Sequence, residues 1–284
     1  MPFIFSMRTW LFSFLASFVV FSPVQADESG LGWHDKTRGL LISRLNPDVL
    51  MLEVSKGERL NYHYSEQLDM IDGFVEYAGA VRVSPASSSV VLKGAWLPLA
   101  VVKFNGEAEY GRYFGNFSNV LLFDDANGDY SDQAREDLED EAQASWFSRY
   151  KFEAVVRAKL GPVVGRYVAS SEYFDFDVDD QGQFIYEPGY DLLIKNRDTV
   201  DVSKWEIFYE FPSVAAGKRL IGIFHETNEA SSSETRQQKL GLQSLWGQNT
   251  YGHDVLWVAQ LAYHTESRYR EDEWMGTLGL IKPF

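Results

Sequence analysis

The segment His225-Glu226-Thr227-Asn228 combines residue types and a spacing that could support nucleophilic catalysis. In an extended strand, side chains two positions apart point to the same side, so His225 and Thr227 share a face and Glu226 does not. An imidazole beside a hydroxyl can take its proton and activate the oxygen for attack on an ester. Threonine is a hindered nucleophile, so the sequence favours a non-catalytic histidine near a strand end over an enzyme.

A second candidate site is an acidic segment that begins at Asp124 and runs to Glu141. Its oxygen ligands are spaced two apart around Gly128, as at the start of a calcium-binding loop. The candidate ligands are Asp125, Asn127, Asp129 and Asp132. A full EF-hand pattern is missing, because Gly128 stands at the fourth position of the loop rather than the sixth. We expect a solvated acidic loop, with a Ca²⁺ site in the 124–141 loop as the alternative; no other cofactor is predicted.

Composition excludes several other classes of site. The 284 residues contain no cysteine and carry a formal charge of −15, which argues against thiol chemistry, disulfides and general nucleic-acid binding. The five histidines are scattered rather than paired at metal-ligand spacing. No glycine-rich phosphate loop or serine-hydrolase motif is present.

The first 26 residues have the pattern of a cleaved secretory signal peptide. Arg8 precedes an apolar run from Thr9 to Phe21, and Val24-Gln25-Ala26 is a small-x-small cleavage site. We expect residues 27–37 to be a short periplasmic tail and residues 38–284 to form one domain.

Most of the mature chain alternates between apolar and polar residues, which predicts β-strands with one face of each kind. In the segment 145–160, for example, Tyr150 and Phe152 alternate with Lys151 and Glu153. The alternating segments exceed the 5–6 residues typical of soluble strands and suit the roughly 9–11 that a tilted strand needs to cross a bilayer. The predicted strands are 49–64, 73–84, 89–112, 145–160, 163–176, 201–211, 219–228, 236–246, 254–264 and 274–284.

The strand count is even but open between ten and twelve. The segment 89–112 is too long for one strand and could turn at Leu97-Pro98-Leu99; either 38–45 or 186–195 would then supply a further strand. Short connections alternate with long ones, among which 114–144 and 177–200 are acidic. These features predict an all-β, antiparallel up-and-down transmembrane β-barrel of 10–12 strands with acidic extracellular loops.

The polar strand faces should line the barrel interior, and we expect a non-catalytic His225 to lie there, beside an extracellular loop. The predicted lumen residues are Lys103, Glu107, Glu109, Arg149, Lys151, Glu153, Arg157 and Lys159. They could form a charged constriction that selects solutes, or they could close a narrow lumen with ion pairs.

The signal peptide, the alternating strands and the last strand resemble Gram-negative outer-membrane β-barrel proteins. The segments Val83-Ser84-Pro85-Ala86, Pro98-Leu99-Ala100-Val101 and Tyr113-Phe114-Gly115 resemble an uncharacterised group of proteobacterial barrel proteins. In that superfamily a terminal aromatic residue after alternating apolar ones is an assembly signal; Leu278, Leu280 and Phe284 match it here, although Lys282 and Pro283 depart from it. The resemblance implies a bacterial outer-membrane location, with membrane lipids, lipopolysaccharide and the barrel-assembly machinery as partners. Outer-membrane lipid hydrolases of this kind carry His-x-Ser-Asn on a strand, and here Thr227 replaces the serine.

Three functions therefore remain open. The favoured one is a non-catalytic outer-membrane barrel, acting as a narrow, porin-like channel or in a structural or surface-interaction role. The alternatives are a barrel-embedded lipid hydrolase or deacylase using His225 and Thr227, and a secreted soluble β-sandwich binding protein.

Overall fold

The alternating segments form long antiparallel strands in the computed structural model. It describes residues 31–45, 49–65, 70–116, 120–178, 183–214, 217–250 and 253–283, so the predicted signal peptide and Phe284 lie outside the described residues. The strands are β1 (Gly32–Leu45), β2 (Val49–Ser65), β3 (Met70–Val83), β4 (Ser87–Leu99), β5 (Val102–Phe114), β6 (Leu122–Phe123), β7 (Ala144–Leu160), β8 (Val163–Asp177), β9 (Phe184–Glu187), β10 (Leu192–Lys195), β11 (Arg197–Val214), β12 (Gly217–Ala230), β13 (Arg236–Thr250), β14 (His253–Glu266) and β15 (Trp274–Pro283).

Twelve of these strands close into a barrel in the order β1-β15-β14-β13-β12-β11-β8-β7-β5-β4-β3-β2. Each barrel strand pairs antiparallel with its neighbours, and the first and last strands close the ring through Arg38 opposite Pro283 to Leu45 opposite Gly276. The predicted antiparallel barrel with an even strand count is confirmed. The β-sandwich alternative is wrong as a fold, because twelve of the described strands form one closed sheet.

The count is twelve because the segment 89–112 is two strands and the chain before residue 49 supplies another. The turn between β4 and β5 falls at Ala100-Val101, just after Leu99, and the pairing of these strands is irregular between Trp96 and Leu99. The added barrel strand is β1, which begins at Gly32 and so overlaps the 27–37 segment that the sequence assigns to a tail. Residues 186–195 do not join the barrel.

The two ends of the barrel differ. The connections 66–69, 100–101, 161–162, 215–216 and 251–252 lie at one end, here called the turn end. The opposite end, the loop end, has connections of three residues each at 46–48 and 84–86 and longer connections at 115–143, 178–196, 231–235 and 267–273. The alternation of short and long connections therefore holds for the chain after β5.

The loops 115–143 and 178–196 contain their own structure. Strands β10, β9 and β6 form a small separate sheet. Loop 115–143 also contains helix α1 (Asp132–Asp137), which Ser131 caps by accepting a hydrogen bond from the Ala134 amide, and a short 3₁₀ turn at 139–141. Among the described residues, no helix is long and apolar enough to cross a membrane.

The barrel wall is apolar outside and polar inside. Large apolar side chains are exposed on the outer face of most barrel strands, including Leu92 (70% exposed), Phe152 (58%) and Trp205 (60%). The same strands bury charged residues on the opposite face, among them Glu53, Glu109, Arg166 and Glu206. This is the reverse of a soluble protein, and it follows from period-two alternation on a closed sheet.

Candidate functional site: the barrel lumen and its cap

The lumen contains a network of ion pairs that begins at Arg82 on β3. Its guanidinium donates to Glu53 at 2.7 Å, to Glu107 at 2.7 Å and to Glu109 at 2.8 Å. Lys93 on β4 contacts Glu53 at 2.5 Å. These residues come from β2, β3, β4 and β5, so one network ties four neighbouring strands together across the interior.

The network continues to β7 and β8. Arg149 binds Glu109 at 2.5 Å and lies 3.5 Å from Glu172. Lys151 binds Glu172 at 2.7 Å and lies 3.7 Å from Glu153. In this network from β2 to β8, positive and negative side chains alternate, and each lies close to an opposite charge.

Two further groups of charges lie beside this network. On one side, Glu76 binds Arg38 at 2.9 Å and Arg59 at 2.5 Å. On the other, Arg166 binds Glu206 at 3.0 Å, and Lys204 bridges Glu206 and Glu226. Each of these three carboxylates lies within 3.5 Å of at least one positively charged side chain, which is the pairing that a buried charge requires.

The structure places the eight predicted lumen residues in three settings. Glu107, Glu109, Arg149, Lys151 and Glu153 belong to the network. Lys103 lies on the same face, with its amine 6.0 Å from the centre of the Phe74 ring. Arg157 donates to the Ala100 carbonyl at 2.8 Å and Lys159 pairs with Glu210, so these two lie at the turn end.

The sequence prediction missed the residues that join these groups. Arg82 has the most carboxylate partners in the network, and Glu172 is 1% exposed. Both occupy the polar positions of alternating strands, so the period-two pattern already marked them as lumen residues. What the pattern cannot give is which charges meet, because that depends on the register between strands.

A hairpin formed by β9 and β10 (residues 184–195), here called the cap, covers the loop end of the lumen. Ile185, Leu192 and Ile194 are fully buried against Phe147, Phe174 and Phe176 of the barrel wall. On its other side, Tyr186 and Leu193 pack with Leu121 and Tyr130 of loop 115–143. The cap is thus held between the wall and the acidic loop.

The tip of the cap is fixed by polar contacts from several parts of the wall. Asp191 accepts a hydrogen bond from Gln237 of β13 at 2.8 Å and pairs with Arg270 of loop 267–273 at 3.0 Å. Arg44 of β1 donates to the carbonyls of Pro188 and Gly189. We call Arg44, Asp191, Gln237 and Arg270 the clasp. It joins the cap to β1, to β13 and to the last loop.

Two carboxyl groups outside the barrel strands, those of Asp132 and Glu187, have shifted pKa values. Burial would raise the pKa of Asp132, but its hydrogen bond and charge contact with Arg270 hold that pKa below its usual value of 3.8. Burial raises the pKa of Glu187 above its usual value of 4.5, although the Tyr190 amide donates to its carboxylate at 2.9 Å. The acid in the cap, Glu187, therefore favours its neutral form, whereas Asp132 in loop 115–143 favours its charged form.

The hydrolase candidates lie on the outer wall rather than in the lumen. His225 is within 3.0 Å of the Gln238 side-chain oxygen, and Glu226 faces the lumen as the alternation requires. Thr227 lines a shallow outer groove of about 410 Å³ with Ala154, Ala169 and Ser203. A lumen position for His225 is therefore wrong.

The calcium candidates make contacts of their own in the acidic loop. Asp125 accepts hydrogen bonds from the Asn127 amide and side chain at 2.9 and 3.1 Å, and Asp129 accepts one from the Ser131 amide at 2.9 Å. Asp132 pairs with Arg135 and Arg270. In the described part of the chain, no three acidic or histidine side chains are grouped to hold a metal. Calcium binding stays a prediction.

The expected assembly signal is partly described. Leu278 and Leu280 lie on one face of β15, and the buried Met275 and Ile281 lie on the other. Leu278 is opposite Ser43 of β1, and Leu280 is opposite Leu41. Phe284 falls outside the described residues.

Comparisons with known proteins find similar architecture at low similarity. No protein-family model and no curated protein matches the chain in sequence. Among solved structures, the β-domain of the Bordetella autotransporter BrkA is 11% identical, with 89% of this chain and 100% of that chain covered and a TM-score of 0.45. An outer membrane channel from Pseudomonas putida F1 is 10% identical over 92% and 99% of the two chains, with a TM-score of 0.45. The translocator domain of the autotransporter NalP from Neisseria meningitidis is 11% identical over 91% and 90%, with a TM-score of 0.41. Likenesses of this degree do not assign a function.

Proposed function

We propose that this chain is an integral outer-membrane β-barrel that works as a gated, narrow channel for small polar solutes, with the cap as the gate. One observation carries the proposal: the cap covers the loop end of the lumen but belongs to a separate sheet. Side-chain contacts of the clasp and apolar packing hold it there. Such contacts can break and re-form without disturbing the pairing of the barrel strands.

The outer face of the barrel supports the membrane location. Its exposed side chains are large and apolar, whereas hydrogen-bonding and charged groups are turned inward. In hydrocarbon all backbone groups must be paired within the protein, which a closed barrel achieves. Stacked aromatic pairs such as Tyr110–Trp146 and Trp246–Trp257 lie on this wall and fit the aromatic belts at membrane interfaces. The acidic loops would then face the outside of the cell, where cations could link them to lipopolysaccharide.

Conductance across planar lipid bilayers tests the gate. The wild-type chain should stay mostly closed, because the cap and the ion pairs obstruct the lumen. A variant in which a short Gly-Ser linker replaces residues 185–194 should raise the conductance at least tenfold. An Arg270→Gln variant, which keeps the cap but weakens the clasp, should open more often than wild type.

The control variant is Arg197→Gln, which removes an exposed ion pair with Asp175 at the loop end without touching the clasp. It should conduct like wild type. If the cap-free variant is as silent as wild type while it remains folded, the channel proposal is wrong.

The second candidate is a non-conducting barrel with a structural or surface-interaction role. The ion-pair network from β2 to β8 favours it, because paired charges fill that side of the lumen whether or not the cap is present. Silence of both wild type and cap-free variant would select this candidate. Heat-modifiable migration on gels and recovery only with detergent would test the membrane location for both.

A further inference from the structure

The lumen lining is chemically uneven. Ion pairs occupy the strands β2 to β8 and β11, as described above. The lumen face of β13, β14 and β15 instead combines uncharged hydrogen-bonding side chains with apolar ones, and Lys239 is its one charged residue among those described. We call this face the uncharged sector, defined by Gln237, Gln243, Gln260, His264 and Thr277. Lys239, which shares β13, is paired with Glu226 at 3.4 Å.

Several polar atoms in this sector are buried without a hydrogen-bond partner among the described residues. They are the side-chain oxygens of Gln237, Gln243 and Thr277 and both ring nitrogens of His264. These four residues are between 0 and 6% exposed. Buried polar atoms almost always have partners, and leaving one without is costly. The closed conformation therefore leaves hydrogen-bonding capacity unused on this side of the lumen.

The uncharged sector has two levels of polar side chains along the barrel axis, with a level of apolar side chains between them. Phe224, Ala262 and Met275 form a buried cluster on β12, β14 and β15. The cluster separates His264 on the cap side from the paired Gln243 and Gln260 on the other. Gln260 and His264 are four positions apart on β14, or about 13 Å at 3.4 Å per residue. A sugar has hydroxyl groups at its edge and apolar C–H groups on its faces, which fits this order of levels and this length.

The cap and the sector are directly connected. The Gln237 side chain, which lies at the top of the sector, donates to Asp191 at the tip of the cap. Withdrawal of the cap would free Gln237 and open the sector from the loop end. On the ion-paired side, β3 to β5 have no such unused groups among the described residues. One carboxylate oxygen each of Glu172 and Glu206 also lacks a hydrogen bond, but both carboxylates are in ion pairs.

We propose that the uncharged sector is the solute path and that it binds small neutral sugars, of mono- or disaccharide size, through Gln237, Gln243, His264 and Thr277. The inference rests on the proposed gated channel. Hydroxyl groups of the sugar donate to the amide and imidazole acceptors, and its C–H face packs on the level that contains Phe224. Charged solutes of the same size are disfavoured, because the sector offers them no unpaired counter-charge.

Single-cysteine labelling tests the path, since the chain contains no cysteine of its own. Thr277→Cys and Gln243→Cys place a thiol in the uncharged sector. Ser89→Cys and Ser55→Cys are matched controls on the ion-paired side, with similar burial at 8% each. In outer-membrane vesicles, a small neutral methanethiosulfonate reagent should modify the two sector thiols at least tenfold faster than the two controls.

Maltose at 50–100-fold excess over the reagent should slow modification of the sector thiols at least threefold, whereas gluconate should not. Gel migration of unheated samples checks that each variant is folded. If one cysteine variant of a pair does not fold, the other variant on the same side of the lumen is used. Equal labelling on both sides, or no protection by maltose, would overturn the proposal. Labelling does not depend on a conductance measurement, so the two proposals can fail separately. A protein that conducts but shows no labelling of the sector thiols contradicts only this inference. A protein that never conducts but shows sector labelling with maltose protection contradicts only the gated channel.

Discussion

At the scale of single residues, the lumen is governed by which buried charges have partners. Arg82 satisfies three carboxylates at once, and its side chain is 11% exposed. Lys159 makes one ion pair at the turn end and is 54% exposed. Both residues are positively charged and both occupy inward positions of the alternating pattern. Solvent screens the ion pair of Lys159 but not the ion pairs of Arg82.

Arg82→Met should therefore lower the free energy of unfolding by about 3–5 kcal/mol, because it leaves Glu53, Glu107 and Glu109 short of a partner in the interior. Lys159→Met should change it by less than about 1 kcal/mol. Urea unfolding in lipid vesicles would measure both. Equal effects of the two substitutions would show that the network contributes no more than a surface pair.

Glu187 in the cap gives a pH-dependent prediction. Because burial raises its folded-state pKa above 4.5, the folded protein prefers the neutral carboxyl. This contribution to stability is complete below pH 4.5 and is lost as the pH rises through the folded-state pKa. Glu187→Gln mimics the neutral form, so the variant should match wild type at pH 4 and exceed its thermal midpoint at pH 8. A variant that is less stable than wild type at pH 8 would contradict this.

At the scale of elements, the strands carry two kinds of information. Period-two alternation sets which face is inside, and register sets which inward groups meet. The segment 89–112 shows the limit of the first: the apolar run from Leu97 to Val102 does not alternate, so the pattern cannot place the reversal, which falls at Ala100-Val101. Segment 186–195 shows another limit, since a short apolar run can be a barrel strand or a cap strand, and only packing decides between them.

Close strand approach at Gly57 gives a prediction at this scale. A methyl group there would lie 2.0 Å from the Tyr77 carbonyl and 2.5 Å from the Ala78 backbone, whereas one on Gly94 in β4 would meet nothing within 4 Å. Gly57→Ala should weaken the pairing of β2 and β3 and cost about 1–3 kcal/mol. Gly94→Ala should be tolerated. The yield of heat-modifiable folded barrel measures both, and equal yields would contradict the expectation.

At the scale of the whole molecule, the barrel is an apolar cylinder with a charged interior and a covered loop end. Trp205 lies near the middle of β11 and is 60% exposed on the outer wall. If that wall faces hydrocarbon, Trp205→Arg should reduce the free energy of folding into vesicles by about 2–4 kcal/mol. Ser231→Arg, in the loop after β12, should have little effect. An arginine tolerated equally well at both positions would argue against membrane insertion of this wall.

The sequence alone determined the fold class. Alternation follows from local chemistry, because a strand of a closed sheet with an apolar outer face and a polar inner face must change polarity at every residue. The same pattern identified Glu107, Glu109, Arg149, Lys151 and Glu153 as lumen residues, and the structure brings them together.

Only the tertiary structure decided what these residues do. The separation of ion pairs from the uncharged sector depends on strand register and on closure of β1 against β15, which no local pattern encodes. The clasp joins Arg44, Asp191, Gln237 and Arg270 from parts of the chain far apart in sequence. His225 gives another example. Its spacing from Thr227 suggested a catalytic pair, but which face of a strand points into the lumen is set by the closed sheet around it.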